Sequence, residues 1–189
     1  MKTKNEEAEG LKRLFINELK VIYWCEKVLV KSIPRISKKA TDPDLVQALK
    51  NHLSETNDEM KRLENIFDSI SIKPLIKKSS TMADMIEEAE AMISEAEKGP
   101  MRDACIILAI QKIEHYEIAT YGTLLSFANR LKLPEAVDLL KKSLDEEKNA
   151  DKALTDIAES GINEQAVVDI TGERIVSLDG QEEKTRYSL

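Results

Sequence analysis

The chain has 189 residues and a formal net charge of −7, with 42% hydrophobic and only 4% aromatic residues. That length fits one domain whose core is large enough to fold without disulfides. The acidic charge, the lack of Lys and Arg clusters and the few aromatic rings argue against nucleic acid as the main partner. The polar start MKTKNEEAEG has no apolar signal region, and no apolar run is long enough to cross a bilayer. We therefore expect a cytoplasmic protein that does not bind membranes.

Apolar residues at helical spacing predict a first long helix from about Ala8 to about Lys38. Pro34 lies inside this span, and its ring is expected to kink or end the helix there. The sequence Thr41-Asp42-Pro43 predicts the start of a second helix, because Thr41 or Asp42 can cap it and proline suits its first turn. This helix is predicted to run to about Ser69, and residues 70–81 are predicted to form a loop.

The rest of the chain is predicted to contain a short helix, two further long helices and a tail. Their predicted ranges are Met82–Glu97, Met101–Leu131, Pro134–Ser160 and, for the tail, 161–189. Two helical hairpins joined by a long connection with a small helix are the topology of ferritin-like four-helix bundles with one long crossover. The predicted fold class is therefore all-α, with residues 1–160 as the bundle.

Each of the four long helices carries ionisable side chains where its apolar stripe should continue. A carboxylate in an apolar interior is unfavourable unless it is protonated, paired or coordinated. The candidate metal ligands selected on this ground are Glu26, His52, Glu55, Glu59, Glu114, Glu117, Glu147 and Asp151.

The spacing of these acids is the same in both predicted hairpins. Glu26 and Glu59 are 33 residues apart, and so are Glu114 and Glu147. Two antiparallel helices joined by a short turn bring such positions to the same height, so we expect all four acids at one level. Four carboxylates at one level repel each other, and two divalent cations would cancel most of that charge. Carboxylate-bridged iron or manganese sites are built in this way.

Several alternatives stay open at this point. A single Glu on a predicted core face often reflects an error in assigning the face, and Arg62, one turn after Glu59, could neutralise the acids without metal. The ligand from the second helix could be Glu59, Glu55 or His52. His115 lies one step off the line of acids, where a supporting or ordinary core position is expected. Three tyrosines lie near the acids by helical spacing and could bond to ligating carboxylates: Tyr23, Tyr116 and Tyr121.

Four stretches of the sequence resemble the helices of the YciE/YciF family of bacterial ferritin-like proteins associated with stress responses. The stretches are YWCEKVLVKSIPRISKKA, HLSETNDEMKRLE, QKIEHYEIATYGTLL and LLKKSLDEEKNADKALTDIA, and EHYEIATYGTL is the most distinctive part. The resemblance covers about residues 8–160, including the connecting helix MADMIEEAE. It implies a rubrerythrin-like bundle, a homodimer and a dinuclear metal site.

By that resemblance, Glu26, Glu114, Glu117 and Glu147 match positions where rubrerythrin-like bundles place ligands, and Asp151 would extend the site. The sequence departs from the usual pattern because the Glu-x-x-His pair is absent. A nearly all-carboxylate site favours iron or manganese over zinc or copper. No Cys-x-x-Cys pair is present, so the iron–sulfur module of complete rubrerythrins is missing.

Three functions are compatible with these observations. The first is a redox protein whose two iron or manganese ions react with a small oxidant such as oxygen or peroxide. The second is a non-enzymatic stress protein, a dimeric scaffold with a metal-free or vestigial carboxylate site. The third is iron storage in a closed shell, for which the sequence contains no positive sign.

Overall fold

The computed structural model describes residues 4–167, and these residues form helices without any strand. The elements are α1 (Lys4–Ser37), α2 (Pro43–Ser69), α3 (Ser80–Glu95), α4 (Pro100–Leu131), α5 (Pro134–Ile157), a π-helical turn (Ala158–Ile162) and α6 (Asn163–Ala166). The prediction of an all-α bundle of four long helices and one short connecting helix is confirmed.

The helix boundaries differ from the predicted ones in a few places. Helix α1 continues through Pro34 to Ser37, since the fixed φ of proline is itself compatible with a helix. Helix α5 ends at Ile157, and Gly161, with φ 155°, falls in the π-helical turn that follows. The chain stays helical to Ala166 and Ile162 is buried, so the first residues of the predicted tail belong to the packed structure. The remainder of that tail, 168–189, lies outside the described residues.

The four long helices enclose one core. Helices α1 and α2 form one hairpin and α4 and α5 the other, and the hairpins meet through α2 on α5 and α1 on α4. The apolar stripes identified in the sequence are buried, including Phe15, Leu19, Leu49 and Leu63. Each such side chain contributes about 1.5–3 kcal/mol through removal from water. No helix among residues 4–167 is long and apolar enough to span a membrane.

A hydrogen-bonded junction sets the direction of the second hairpin. The carboxylate of Asp103, near the start of α4, accepts hydrogen bonds from the backbone N–H groups of Thr41 (2.8 Å) and Asp42 (2.9 Å) and from the Thr41 hydroxyl (2.5 Å). The start of α4 therefore lies beside the start of α2, and the two helices run parallel. The connection between them must return along the bundle, and α3 does so while packing on α4 and α1.

Candidate metal centre

Six of the eight candidate ligands lie together in the interior, near the middle of the long helices. Each is at most 5% exposed. The six are Glu26 from α1, His52 and Glu59 from α2, Glu114 and Glu117 from α4, and Glu147 from α5. The matched spacing of 33 residues in the two hairpins thus does place the four acids that it selected in one cluster.

The six side chains form two groups that share one residue. The first, group A, consists of His52, Glu114, Glu117 and Glu147. The second, group B, consists of Glu26, Glu59 and Glu147. Within each group one nitrogen or oxygen atom per residue lies within 4.8 Å of all the others, a spacing that a single cation can span because metal–oxygen and metal–nitrogen distances are about 2.0–2.6 Å.

Among the described residues, the polar atoms of this cluster receive no hydrogen bond from outside it, apart from that of the Tyr121 hydroxyl to Glu26. In the described part of the chain, buried side-chain atoms without a partner are Glu26 Oε2, His52 Nε2 and both carboxylate oxygens of Glu59, Glu114, Glu117 and Glu147. Buried polar atoms in folded proteins are nearly always bonded to protein or water, because leaving one unpaired costs about 1–3 kcal/mol. These ten atoms all belong to the two groups. The cluster therefore has the donor atoms that bound cations would satisfy.

Burial and mutual repulsion keep protons on the acids. Burial raises the pKa of Glu114 to about 8. A hydrogen bond with Glu147 acts in the opposite direction, and the carboxylates of Glu59 and Glu26 add to the rise. The pKa of Glu117 is raised well above its usual range by burial and then by Glu26, and that of Glu59 by burial and then by Glu147. Without a cation, the folded protein therefore favours neutral carboxyl groups here.

His52 lies at one edge of the cluster in its neutral form. Its Nε2 atom is 3.1 Å from Glu114 Oε1, without the geometry of a hydrogen bond. Burial lowers the pKa of His52 to about 4. A neutral imidazole with a free nitrogen lone pair is the form in which histidine binds metals.

Arg62 is the basic residue that the sequence offered as an alternative to metal. Its side chain is buried, but its Nε atom donates to Ser143 Oγ (2.9 Å) and its Nη2 atom pairs with Glu146. Glu59 Oε1 lies 3.6 Å from Nη2, beyond hydrogen-bond range. One guanidinium that is already paired with Glu146 cannot neutralise the five glutamates, and it touches only one of them.

Of the three tyrosines near the acids, Tyr121 reaches the cluster. Its hydroxyl donates to Glu26 Oε1 at 2.5 Å, and the residue is fully buried. The Tyr23 hydroxyl instead donates to Glu64, and that of Tyr116 lies 3.3 Å from Ser79 Oγ. Tyr121 therefore fixes one oxygen of Glu26 and leaves the other free, which is the arrangement of a tyrosine that orients a ligating carboxylate.

Two of the eight candidates lie outside groups A and B. Glu55 is partly exposed and lines a cavity whose inner wall contains His52 and Glu114. Asp151 is also partly exposed and accepts a hydrogen bond from Gln111 Nε2 (3.1 Å). His115, expected in a supporting or core position, is 68% exposed, and its Nδ1 lies 3.4 Å from Asp151. Helical spacing alone could not separate these edge positions from the interior ones.

The sequence also left some participants unidentified. The helical pattern does not predict the role of Ser143 and Glu146, which hold Arg62 away from most of the cluster. It does not predict the alanines that leave room beside His52 either, since a small residue at a helix interface has no distinctive pattern. The first pair could have been found from the one-turn spacing of Ser143, Glu146 and Glu147 on the inner side of α5.

Fold and cluster together define a class: a four-helix bundle with a buried, carboxylate-rich centre whose donor atoms form two compact groups. Comparison with known proteins gives the family. A family model described as "Domain of unknown function (DUF892)" matches residues 10–167, and the chain belongs to that family. It is 40% identical to Protein YciF of Escherichia coli (strain K12) over 154 residues, which cover 81% of this chain and 93% of that protein. The resemblance to the YciE/YciF family is therefore confirmed.

Two solved structures resemble the chain. One is that of the E. coli stress protein YciF, with a TM-score of 0.78 and 38% identity, covering 86% of this chain and 99% of that one. The other is YcfI of Rhodopseudomonas palustris, whose description proposes a structural role, with a TM-score of 0.75 and 34% identity. The match with YcfI covers 77% of this chain and 92% of the YcfI chain.

Proposed function

We propose that the chain binds two iron or manganese ions within its bundle and that the loaded protein reacts with oxygen or peroxide during stress. The observation that carries this proposal is the set of ten buried polar atoms, all on groups A and B, that receive no hydrogen bond from any described residue outside the two groups. A folded protein rarely retains so many in one place unless something else satisfies them. Two cations, one in each group, would do so.

The donor atoms fit the proposed metals. Five carboxylates and one imidazole form a hard ligand set, which suits iron or manganese better than zinc or copper. His52, Glu114 and Glu117 would hold one ion, Glu26 and Glu59 the other, and Glu147 would lie between them. Bound iron or manganese supplies the electron transfer to oxygen or peroxide. Tyr121 keeps Glu26 in position, and the surrounding apolar side chains exclude water from the centre.

Kinship supports the biological part of the proposal. The E. coli relative YciF is described as a stress protein, and we propose a stress role for this chain on that basis. The family resemblance likewise supports a location in the cytoplasm and a homodimer. Sedimentation equilibrium of the purified protein would test the homodimer.

A metal-free structural protein is the second candidate. It is favoured by the structural role proposed for YcfI and by Arg62, which lies within 3.6 Å of Glu59. In that case protonated carboxyls would fill the centre, and added metal would change nothing.

One experiment separates the two candidates. The protein is purified without chelator and analysed for metals, then stripped and unfolded thermally with and without Mn²⁺. We expect about two ions per chain and, at a metal concentration 100 times the dissociation constant, about 2.7 kcal/mol of added stability for each site. A preparation with less than one ion per chain and no gain from Mn²⁺ would reject the metal proposal.

A pair of substitutions links this result to the cluster. The double variant Glu114→Gln, Glu147→Gln should lose the stabilisation by Mn²⁺, because both groups lose a carboxylate. The matched control is Glu87→Gln, Glu95→Gln, which changes two exposed acids of α3 and should retain it.

A further inference from the structure

We propose that divalent cations enter the centre through a cleft between α2, α4 and α5, and that Glu55 is the carboxylate that receives them first. The inference rests on the proposed function, because it concerns the route to groups A and B. It concerns residues outside both groups and assigns Glu55 a role in transport instead of in the final site.

The cleft is a cavity of about 230 Å³ that joins the surface to group A. Asn51 and Asn149 at its rim are exposed, whereas His52 and Glu114 on its inner wall are buried. The His52 Nε2 atom and both Glu114 carboxylate oxygens lack hydrogen-bond partners. A cation in the cleft would therefore meet free ligand atoms at its inner end.

The composition of the walls fits the passage of a small cation. Three of the lining residues are Ala48, Ala150 and Ala153, whose methyl groups leave the space open. Glu55 is the partly exposed acid of the cleft, and among residues 4–167 no lysine or arginine lines it. A single sign of charge in a narrow opening with apolar walls raises the local concentration of ions of the opposite charge.

The surroundings of group B are less favourable for entry. Arg62, two turns after Glu55 on α2, lies between Ser143 and Glu146 of α5 and places a positive charge beside Glu59. On the other side of group B, the Tyr121 hydroxyl donates a hydrogen bond to one carboxylate oxygen of Glu26. An incoming cation is thus expected to meet group A before group B.

A groove on the opposite side of the bundle provides matched controls. It lies between α1 and α4, contains Glu18 and Ala119 among its lining residues, and is not lined by any residue of groups A or B. Each substitution in the cleft can therefore be paired with the same substitution in a groove that does not lead to the cluster.

The test measures the rate of metal loading separately from the final occupancy. Metal-free protein is mixed rapidly with Co²⁺, and the visible absorption of the bound ion is followed. Glu55→Gln should slow loading about threefold to tenfold through loss of electrostatic attraction, and Ala153→Leu should slow it about tenfold by narrowing the cleft. Glu18→Gln and Ala119→Leu should load at the rate of the unchanged protein, and all four variants should reach the same final absorption.

The outcomes distinguish the route from the function. Full final absorption with unchanged rates in both cleft variants, or slower loading in the control pair, would overturn the route and leave the metal proposal intact. A lower final absorption in Glu55→Gln would make Glu55 a ligand and also overturn its role in transport. If the unchanged protein binds no Co²⁺, both proposals fail. Should Ala153→Leu not fold, as judged by circular dichroism, Ala48→Leu fills the same cleft from α2.

Discussion

Two regions of this protein bury acidic side chains in opposite ways. At the junction of the hairpins, Asp103 is 2% exposed and accepts three hydrogen bonds from Thr41 and Asp42. In the centre of the bundle, five glutamates are as deeply buried, but within residues 4–167 nine of their ten carboxylate oxygens receive no hydrogen bond from outside the cluster. Burial of an acid is therefore not in itself a sign of function. The unsatisfied oxygens distinguish a candidate binding site from a structural junction.

The difference has a physical cause in the neighbouring backbone. The N–H groups at the start of a helix have no partner within the helix, so a carboxylate near them is satisfied by the protein itself. In the middle of a helix, every backbone N–H is already bonded to a carbonyl, and a buried carboxylate finds no donor there. A middle position thus leaves protonation, a side-chain partner or a cation as the ways to stabilise it.

The largest expected effect is on the free energy of unfolding of the metal-free protein, where substitutions at the junction and in the centre should act differently. Asp103→Ala should lower the free energy of unfolding by about 3 kcal/mol, because it leaves the donors of Thr41 and Asp42 without their acceptor. Glu114→Gln should leave stability unchanged or raise it, since at pH 7.5 the buried carboxyl must take up a proton on folding, whereas glutamine needs none. Urea unfolding at pH 7.5 measures both.

The exposed Asp84 of α3 provides the control for this comparison, and Asp84→Ala should change stability by no more than about 0.5 kcal/mol. Equal losses in Asp103→Ala and Glu114→Gln would show that the central acid is satisfied after all. Under conditions in which it is folded, the Asp103→Ala variant should bind as many metal ions per chain as the unchanged protein.

A smaller effect is expected from pH. A carboxyl whose pKa is higher in the folded state stabilises the protein fully at low pH, and that contribution is lost as the pH rises through the folded-state pKa. With a pKa of about 8 for Glu114, the share of this one residue in the metal-free protein should be a loss of about 2 kcal/mol between pH 6.5 and 8. The other four glutamates, whose pKa values are raised as well, add their own losses. Urea unfolding with a chelator present measures this loss.

The lower limit of this pH range, 6.5, is chosen because of His52. Its pKa is lowered from 6.5 to about 4, so below pH 6.5 it makes stability fall as the pH falls, opposite to the glutamates. Glu114→Gln should make the profile between pH 6.5 and 8 less steep, because the share of Glu114 is removed and that of the other glutamates remains. A metal-free protein that becomes more stable across this window would contradict the buried, protonated cluster.

The smallest expected effect tests the tyrosine that touches the cluster. Tyr121→Phe should lower the free energy of unfolding by about 1 kcal/mol, the contribution of one buried hydrogen bond. It should also weaken Mn²⁺ binding a few-fold, because Glu26 is released. Tyr116→Phe, which removes a weaker contact with Ser79, is the control and should retain the affinity. Isothermal titration calorimetry measures the Mn²⁺ affinity of the two variants and of the unchanged protein. Equal affinities in all three would show that Tyr121 does not support the site.

Much of the fold could be predicted because the signals are local. Apolar residues recur at helical spacing, and Thr41-Asp42-Pro43 marks the start of α2. The Asp42 side chain caps this helix by accepting from the N–H groups of Asp44 and Leu45 (both 2.9 Å). The ends were harder to predict. Pro34 does not end α1, and packing continues past Gly161 to Ile162, because contacts with the rest of the bundle outweigh the local preference for a break.

The cluster was partly predictable because the spacing of 33 residues is a property of the chain itself. It selected Glu26, Glu59, Glu114 and Glu147, which the structure brings together. Helical periodicity could not rank the three candidate ligands from α2, since positions 52, 55 and 59 all lie within one broad helical face. The structure places two of them inside and Glu55 on the cleft.

The sequence alone determined that the chain forms four long helices and that acids interrupt their apolar stripes, because both follow from periodicity along one helix. Only the tertiary structure decided which acids share a cation-sized space, where Arg62 points and which side of the bundle opens to solvent. These depend on how helices distant in the chain rotate against each other. A rotation of a few tens of degrees moves a side chain from the core to the edge without changing the sequence pattern.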